Sequence, residues 1–122
     1  MPRADRRPGC GSDSGAATIW TALSVTALAG VTVLAFSLAA AVTARHRAES
    51  AADLAALAAA SHAADGPADA CERARWVTTR MGITLLTCRW QQLDALVEVE
   101  APGPDLLGVP RLSARARAGP AG

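Results

Sequence analysis

The chain has 122 residues, a formal net charge of +1 and 51% hydrophobic residues, yet only three Trp, one Phe and no Tyr. This length allows a single small globular domain, and because alanine supplies much of the hydrophobicity, a core of large side chains is excluded. The near-neutral balance removes the electrostatic basis for binding nucleic acid; the twelve basic residues are all Arg, which reflects nucleotide composition rather than a basic patch.

The N-terminal stretch carries Arg3, Arg6, Arg7 and Cys10. No apolar segment precedes Cys10, so it is not a lipid-modified cysteine and is given no role. From Ser14 to Ala44 there is no charged side chain. A helix over Ile19 to Val42 would be roughly 36 Å long, against a hydrocarbon core of about 30 Å, so the run predicts a membrane span. A cleavable secretory signal has an apolar stretch of only about 7 to 15 residues, which argues for retention. Val42-Thr43-Ala44 nevertheless resembles a small-residue cleavage site, which leaves an exported soluble effector, released after cleavage, as the alternative.

Three arginines precede the span and two, Arg45 and Arg47, follow it, so the positive-inside rule favours a cytoplasmic N terminus. The cysteines agree with that orientation. Cys71 and Cys88 follow the span at a separation suited to one intradomain bridge in an oxidising compartment, whereas Cys10 stays reduced on the other side.

Past the span, "TARHRAESAADLAALAAASHAADG" has no Gly or Pro before Gly66 and is rich in helix formers, so the helix is expected to continue until Gly66-Pro67. Arg45 and Glu49 are four apart and can pair, Asp53 extends the polar stripe, and Ala48, Ala52, Ala55 and Ala59 form a strip of small residues. Within the span, Ala22, Thr26 and Gly30 repeat a small residue every fourth position, the pattern of a helix-packing surface in bilayers. An Ala-rich chain also produces such strips without a packing role.

The segment "PADACERARWVTTRMG" predicts a second helix, with Pro67 in its first turn, Gly82 just past its end, and a buried stripe of Ala70, Ala74, Val77 and Met81. The period then becomes two. In "ITLLTCRW" Leu86, Cys88 and Trp90 are expected to point one way, and after a turn at Gln91 to Asp94 the strand "ALVEVE" places Ala95, Val97 and Val99 inward. A third strand, "LSARARA", can pair antiparallel with the second, bringing Arg115 and Arg117 opposite Glu98 and Glu100 at a few tenths of a kcal/mol to about 1 kcal/mol per pair. Its alternating charges read as one solvated sheet face and not as a nucleic-acid patch.

The expected architecture is α+β: a long N-terminal transmembrane helix leading into a small extracytoplasmic domain of one helix and a short antiparallel sheet. Its divisions are a leader over 1–15, the span over 16–44, the helical extension over 45–66 and the small domain over 67–122. A Cys71–Cys88 disulfide would contribute about 3 kcal/mol in the loop-entropy model, comparable to the whole stability of such a domain. Two distant cysteines and a lone His62 fall short of a zinc site, and no CxxC exists for redox work. His46 and His62 are too far apart to share a ligand. With no phosphate loop, nucleophile elbow or paired acids, no enzyme, no metal, no cofactor and no small-molecule substrate is expected.

The run "SDSGAATIW", the apolar span, "ARHRAESAADLAALAAA", Cys71 with Cys88, and the closing "SARARAGP" together resemble the actinobacterial TadE-like small proteins found with tight-adherence (Flp) pilus and secretion machinery. That resemblance implies a pilin-like or pseudopilin-like protein of the cell membrane, crossing once, whose long helix packs against other pilus or secretion-system proteins. It also implies a processing site. In TadE and its relatives a prepilin peptidase cuts after a glycine, and a glutamate usually stands five residues later. Gly15 matches the glycine, which places the cut before Ala16, but the fifth residue after it is Trp20. A new amine at Ala16 would lack a carboxylate partner in lipid, so an uncut, minor-pilin-like component fits better than a polymerising pilin.

Overall fold

The first helix, α1, runs unbroken over Asp13–Ser61. Apart from Gly15 and Gly30 it contains no strong helix breaker, and alanine and leucine carry its interior. The computed structural model describes residues 13–103, 108 and 110–120, so Arg3, Arg6, Arg7 and Cys10 lie outside the described residues. By backbone contacts the chain divides into two units, 1–36 and 37–122. The first unit contributes helix alone to the described residues; the second contains the rest of α1 and everything after it.

A short 3-10 turn over Ala63–Asp65 follows α1, and the chain reverses at Gly66, whose φ of +102° is open to glycine and strained for other residues. Pro67 opens the second helix, α2, over Pro67–Arg80. Its first intrahelical bond is donated by the Ala70 amide to the Gly66 carbonyl at 3.0 Å, so the missing N–H of Pro67 costs nothing. The far end closes as a Schellman motif: the Ile83 amide donates to the Thr78 carbonyl (2.9 Å) and the Gly82 amide to that of Thr79 (3.1 Å), with Gly82 at φ +69°.

Three antiparallel strands follow, β1 over Thr84–Gln91, β2 over Asp94–Ala101 and β3 over Leu112–Ala118, in the spatial order β1-β2-β3. Gln91 pairs with Asp94, leaving Gln92 and Leu93 as the hairpin turn, with Gln92 at φ +55°. The register between β1 and β2 shifts between Leu85 and Thr87. This bulge corrects the expected face of β1. Leu85 sits opposite Val99 and packs on the core together with Cys88 and Trp90, while Leu86 is left exposed. One extra residue reverses the alternation on its N-terminal side.

The ion pairs also differ in part from expectation. Arg115 meets Glu98 at 3.1 Å and is its cross-strand partner. Glu100 instead pairs with Arg111, at 2.8 Å, and Arg117 reaches Asp94, because Ser113 and not Arg117 lies opposite Glu100.

One hydrophobic cluster joins the helices to the sheet. α1 contributes Ala48, Ala51, Ala52, Ala55, Ala56 and Ala59; β2 contributes Ala95, Val97, Val99 and Ala101; α2 adds Ala70 and Ala74. The small-residue strip read from the sequence is therefore the buried face of α1, widened by Ala51 and Ala56. Val97 and Val99 are the largest apolar side chains fully buried there. In α2 the fully buried set is Ala70, Ala74 and Thr78, with Val77 and Met81 half-buried, so Thr78 takes the central place expected for Val77. Its hydroxyl donates to the Arg75 carbonyl at 3.0 Å, which makes a buried threonine acceptable. A disulfide joins Cys71 of α2 to Cys88 of β1, with Cα atoms 5.9 Å apart.

Candidate functional site

The N-terminal part of α1 combines length, apolarity and exposure. Its most apolar 18-residue window has a mean hydropathy of 2.2, and none of that window is buried within the protein. Trp20 is 72% exposed and Phe36 73%, with Leu23, Leu28 and Leu34 also open. These residues point in all directions around the axis, so no single apolar stripe faces a core; a helix of this kind is buried by something other than its own fold. Among the described residues, α1 is the helix long and apolar enough to cross a membrane.

Its hydroxyl groups are consistent with such an environment. Thr18, Thr21, Ser24, Thr26 and Thr32 each donate to the carbonyl four residues earlier, at 2.8–2.9 Å. In water this back-bonding offers little, but in hydrocarbon it removes the cost of an unpaired hydroxyl.

Ala22, Thr26 and Gly30 lie on α1 at four-residue spacing and all three are exposed. The Thr26 hydroxyl is turned back onto the Ala22 carbonyl, and open space surrounds the position of a Cβ on Gly30, so the strip is shallow. Gly15 and Ala16 are exposed in the first turn of α1, and Trp20 stands little more than a turn further on.

In the second unit, the Arg45 Nε donates to Glu49 Oε1 at 2.9 Å, and His46 lies 3.7 Å from the other oxygen of the same carboxylate. His62 is on the far side of the domain, where its Nδ1 donates to the Ala58 carbonyl at 2.9 Å. The structure does not bring the two histidines together. An open cleft of about 710 Å³ beside α2 is lined by Asp65, Asp69 and Glu72 as well as Arg73, Arg75 and Trp76. Arg80 stacks over the Trp76 ring at 4.7 Å. No group of three His, Cys, Asp or Glu suited to a metal ion occurs among the described residues.

The sequence reading missed the widening of the buried strip by Ala51 and Ala56, whose signal was the same helical spacing one position to either side. It also missed an apolar groove beside Ala40 and Ile83, which is assembled from three separate segments and has no signal along the chain.

A search of curated proteins and of solved structures finds no significant match. A family model does match, over residues 15–64: the Tad family, described as Flp pilus-assembly TadE/G-like. The match does not extend to Cys71, Cys88 or "SARARAGP". It covers α1 from Gly15 onward and the first two residues of the 3-10 turn, so the similarity to this Flp pilus-assembly TadE/G-like family lies in the long helix.

Proposed function

We propose that the protein is a non-enzymatic, pilin-like membrane component of a tight-adherence pilus or of its assembly and secretion machinery. The observation that carries this reading is the family match over α1, the same element whose apolar half has no cover of its own. On this reading α1 crosses the cell membrane once, the domain of α2 and the sheet lies on the extracytoplasmic side, and the Ala22–Thr26–Gly30 strip meets helices of other pilus or secretion proteins. The disulfide between Cys71 and Cys88 supports that placement, since such bridges persist outside the reducing cytosol.

Within this role the chain acts as an uncut anchor. Trp20 serves as an aromatic at the headgroup boundary, and no carboxylate stands near the Gly15–Ala16 bond inside the span to neutralise a new amine. N-terminal sequencing of membrane-extracted protein tests this: a start at Met1 or Pro2 is expected. A start at Ala16 would replace the anchor by pilin-type processing, in which case Trp20→Glu should improve incorporation into filaments. A start near Arg45 would support the released effector. For the anchor, Trp20→Glu weakens insertion by about 1 to 3 kcal/mol, depending on depth.

A further inference from the structure

The uncharged stretch of α1 ends at Ala44, and Arg45 and Arg47 are the first charges after it. A groove of about 330 Å³ lies at this level. Ala40, Thr43 and Arg47 of α1 form one wall, and Met81, Ile83 and Pro102 stand across from them. Among the described residues no carboxylate lines it. The turn after α2 and the end of β2 are therefore level with the last residues of the apolar stretch, and not held away from it by the helical extension.

A second contact fixes the same height. Ala101 pairs with Leu112 across β2 and β3, and Leu112 shares a separate groove with Arg45 and Ala48. The other end of the sheet, the Gln92–Leu93 turn, lies the length of β2 away, roughly 23 Å at about 3.3 Å per residue. The lower end of the domain, at the grooves, carries both signs, Arg45, Arg47 and Arg111 with Glu49 and Glu100. Arg111 precedes Leu112, and Arg80 precedes the Met81–Ile83 turn. Arg45 is paired with Glu49 and Arg111 with Glu100, but Arg47 takes part in no ion pair among the described residues.

We propose that this groove seats a phospholipid of the leaflet through which α1 emerges. The upper part of an acyl chain lies along Ala40, Met81, Ile83 and Pro102, and Arg47 meets the phosphate, so that the small domain rests on the bilayer. The inference rests on the reading of α1 as a membrane span. Continuity of the groove wall with the apolar stretch of α1 and the charge of Arg47 select lipid as the occupant.

Spin-label depth measurements on the full chain test it, in vesicles of phosphatidylethanolamine and phosphatidylglycerol. In a Cys10→Ser background that keeps the Cys71–Cys88 bridge, nitroxides are placed singly at Leu28→Cys, Leu93→Cys, Pro102→Cys and Thr84→Cys. Thr84 is exposed next to Ile83 and gives a second reading of the lower end should the Pro102 variant fail to fold. Collisions with a water-soluble nickel chelate should be lost at Leu28, be suppressed at Pro102 and Thr84, and be full at Leu93. Adding Arg47→Gln should shift the balance between resting and free domain by about fivefold toward free, raising the collision rate at Pro102 while Leu28 stays protected. If Leu28 is protected but Pro102 and Thr84 are as accessible as Leu93, the domain stands off the membrane and the inference fails while the anchor survives. If Leu28 itself is accessible, the anchor fails and the inference falls with it.

Discussion

Reduction of the Cys71–Cys88 bridge should release α2 before the rest of the protein. The perturbation closes or opens a loop of 17 residues in sequence separation, which corresponds to about 3 kcal/mol in the loop-entropy model. Against that, the fully buried set of α2 is Ala70, Ala74 and Thr78, and three methyl groups contribute only about 2 kcal/mol at about 0.8 kcal/mol each. The cross-link is therefore the larger of these two contributions, and its loss should loosen α2 from the sheet. Hydrogen exchange on the full chain in vesicles, before and after reduction, measures this directly. Amides from Ala70 to Arg80 should exchange about 100-fold faster in the reduced protein, while those of the apolar half of α1 stay unchanged. A change of less than about fivefold in α2 would show that its side-chain packing suffices and would refute the reasoning.

The two faces of α1 should respond oppositely to substitution: Ala55→Leu, on the face buried against the sheet, should destabilise by about 1 to 3 kcal/mol, whereas Leu57→Ala, 59% exposed, should change stability by no more than about 0.5 kcal/mol. Thermal unfolding followed by near-ultraviolet signals of Trp76 and Trp90 separates the two, and equal effects would mean that the buried face is misassigned. Arg115→Ala should cost at most about 1 kcal/mol, less as salt is raised, because its pair with Glu98 is solvent-exposed. A loss above about 2 kcal/mol that is insensitive to salt would show instead that the arginine stem packs on the sheet.

Local features were legible. Gly66-Pro67 and Gly82 mark the start and end of α2 because the backbone conformations and capping bonds needed there depend on a few neighbouring residues, whereas α1 stops at Ser61, five residues short of the Gly66 expected, and tightens into a 3-10 turn. The hairpin and the third strand were visible in their alternation for the same reason. The bulge at Leu86 was not. "ITLLT" shows no polar residue at the point where the alternation slips, and the slip is set by which β1 residues meet Val99 and Glu98 across the hairpin. The pairing of Arg117 with Asp94 escaped in the same way, since its register depends on a loop whose length alone does not decide which carboxylate is within reach.

The sequence by itself determined that α1 is long, continuous and apolar at its N-terminal end, because hydropathy and helix propensity add residue by residue along one segment. The similarity to the Tad family model is likewise a property of the sequence alone, since residues 15–64 are matched without reference to the sheet. Tertiary structure decided which of the alanine strips is covered. Ala48, Ala52, Ala55 and Ala59 look no different in composition from the strips on the N-terminal half, yet they are buried because the inner faces of β2 and α2 are arranged over them. The groove beside Ala40 and Ile83 was decided there as well. Its walls come from α1, the turn after α2 and the end of β2, and only the packing that brings these three together at one height gives them a common role.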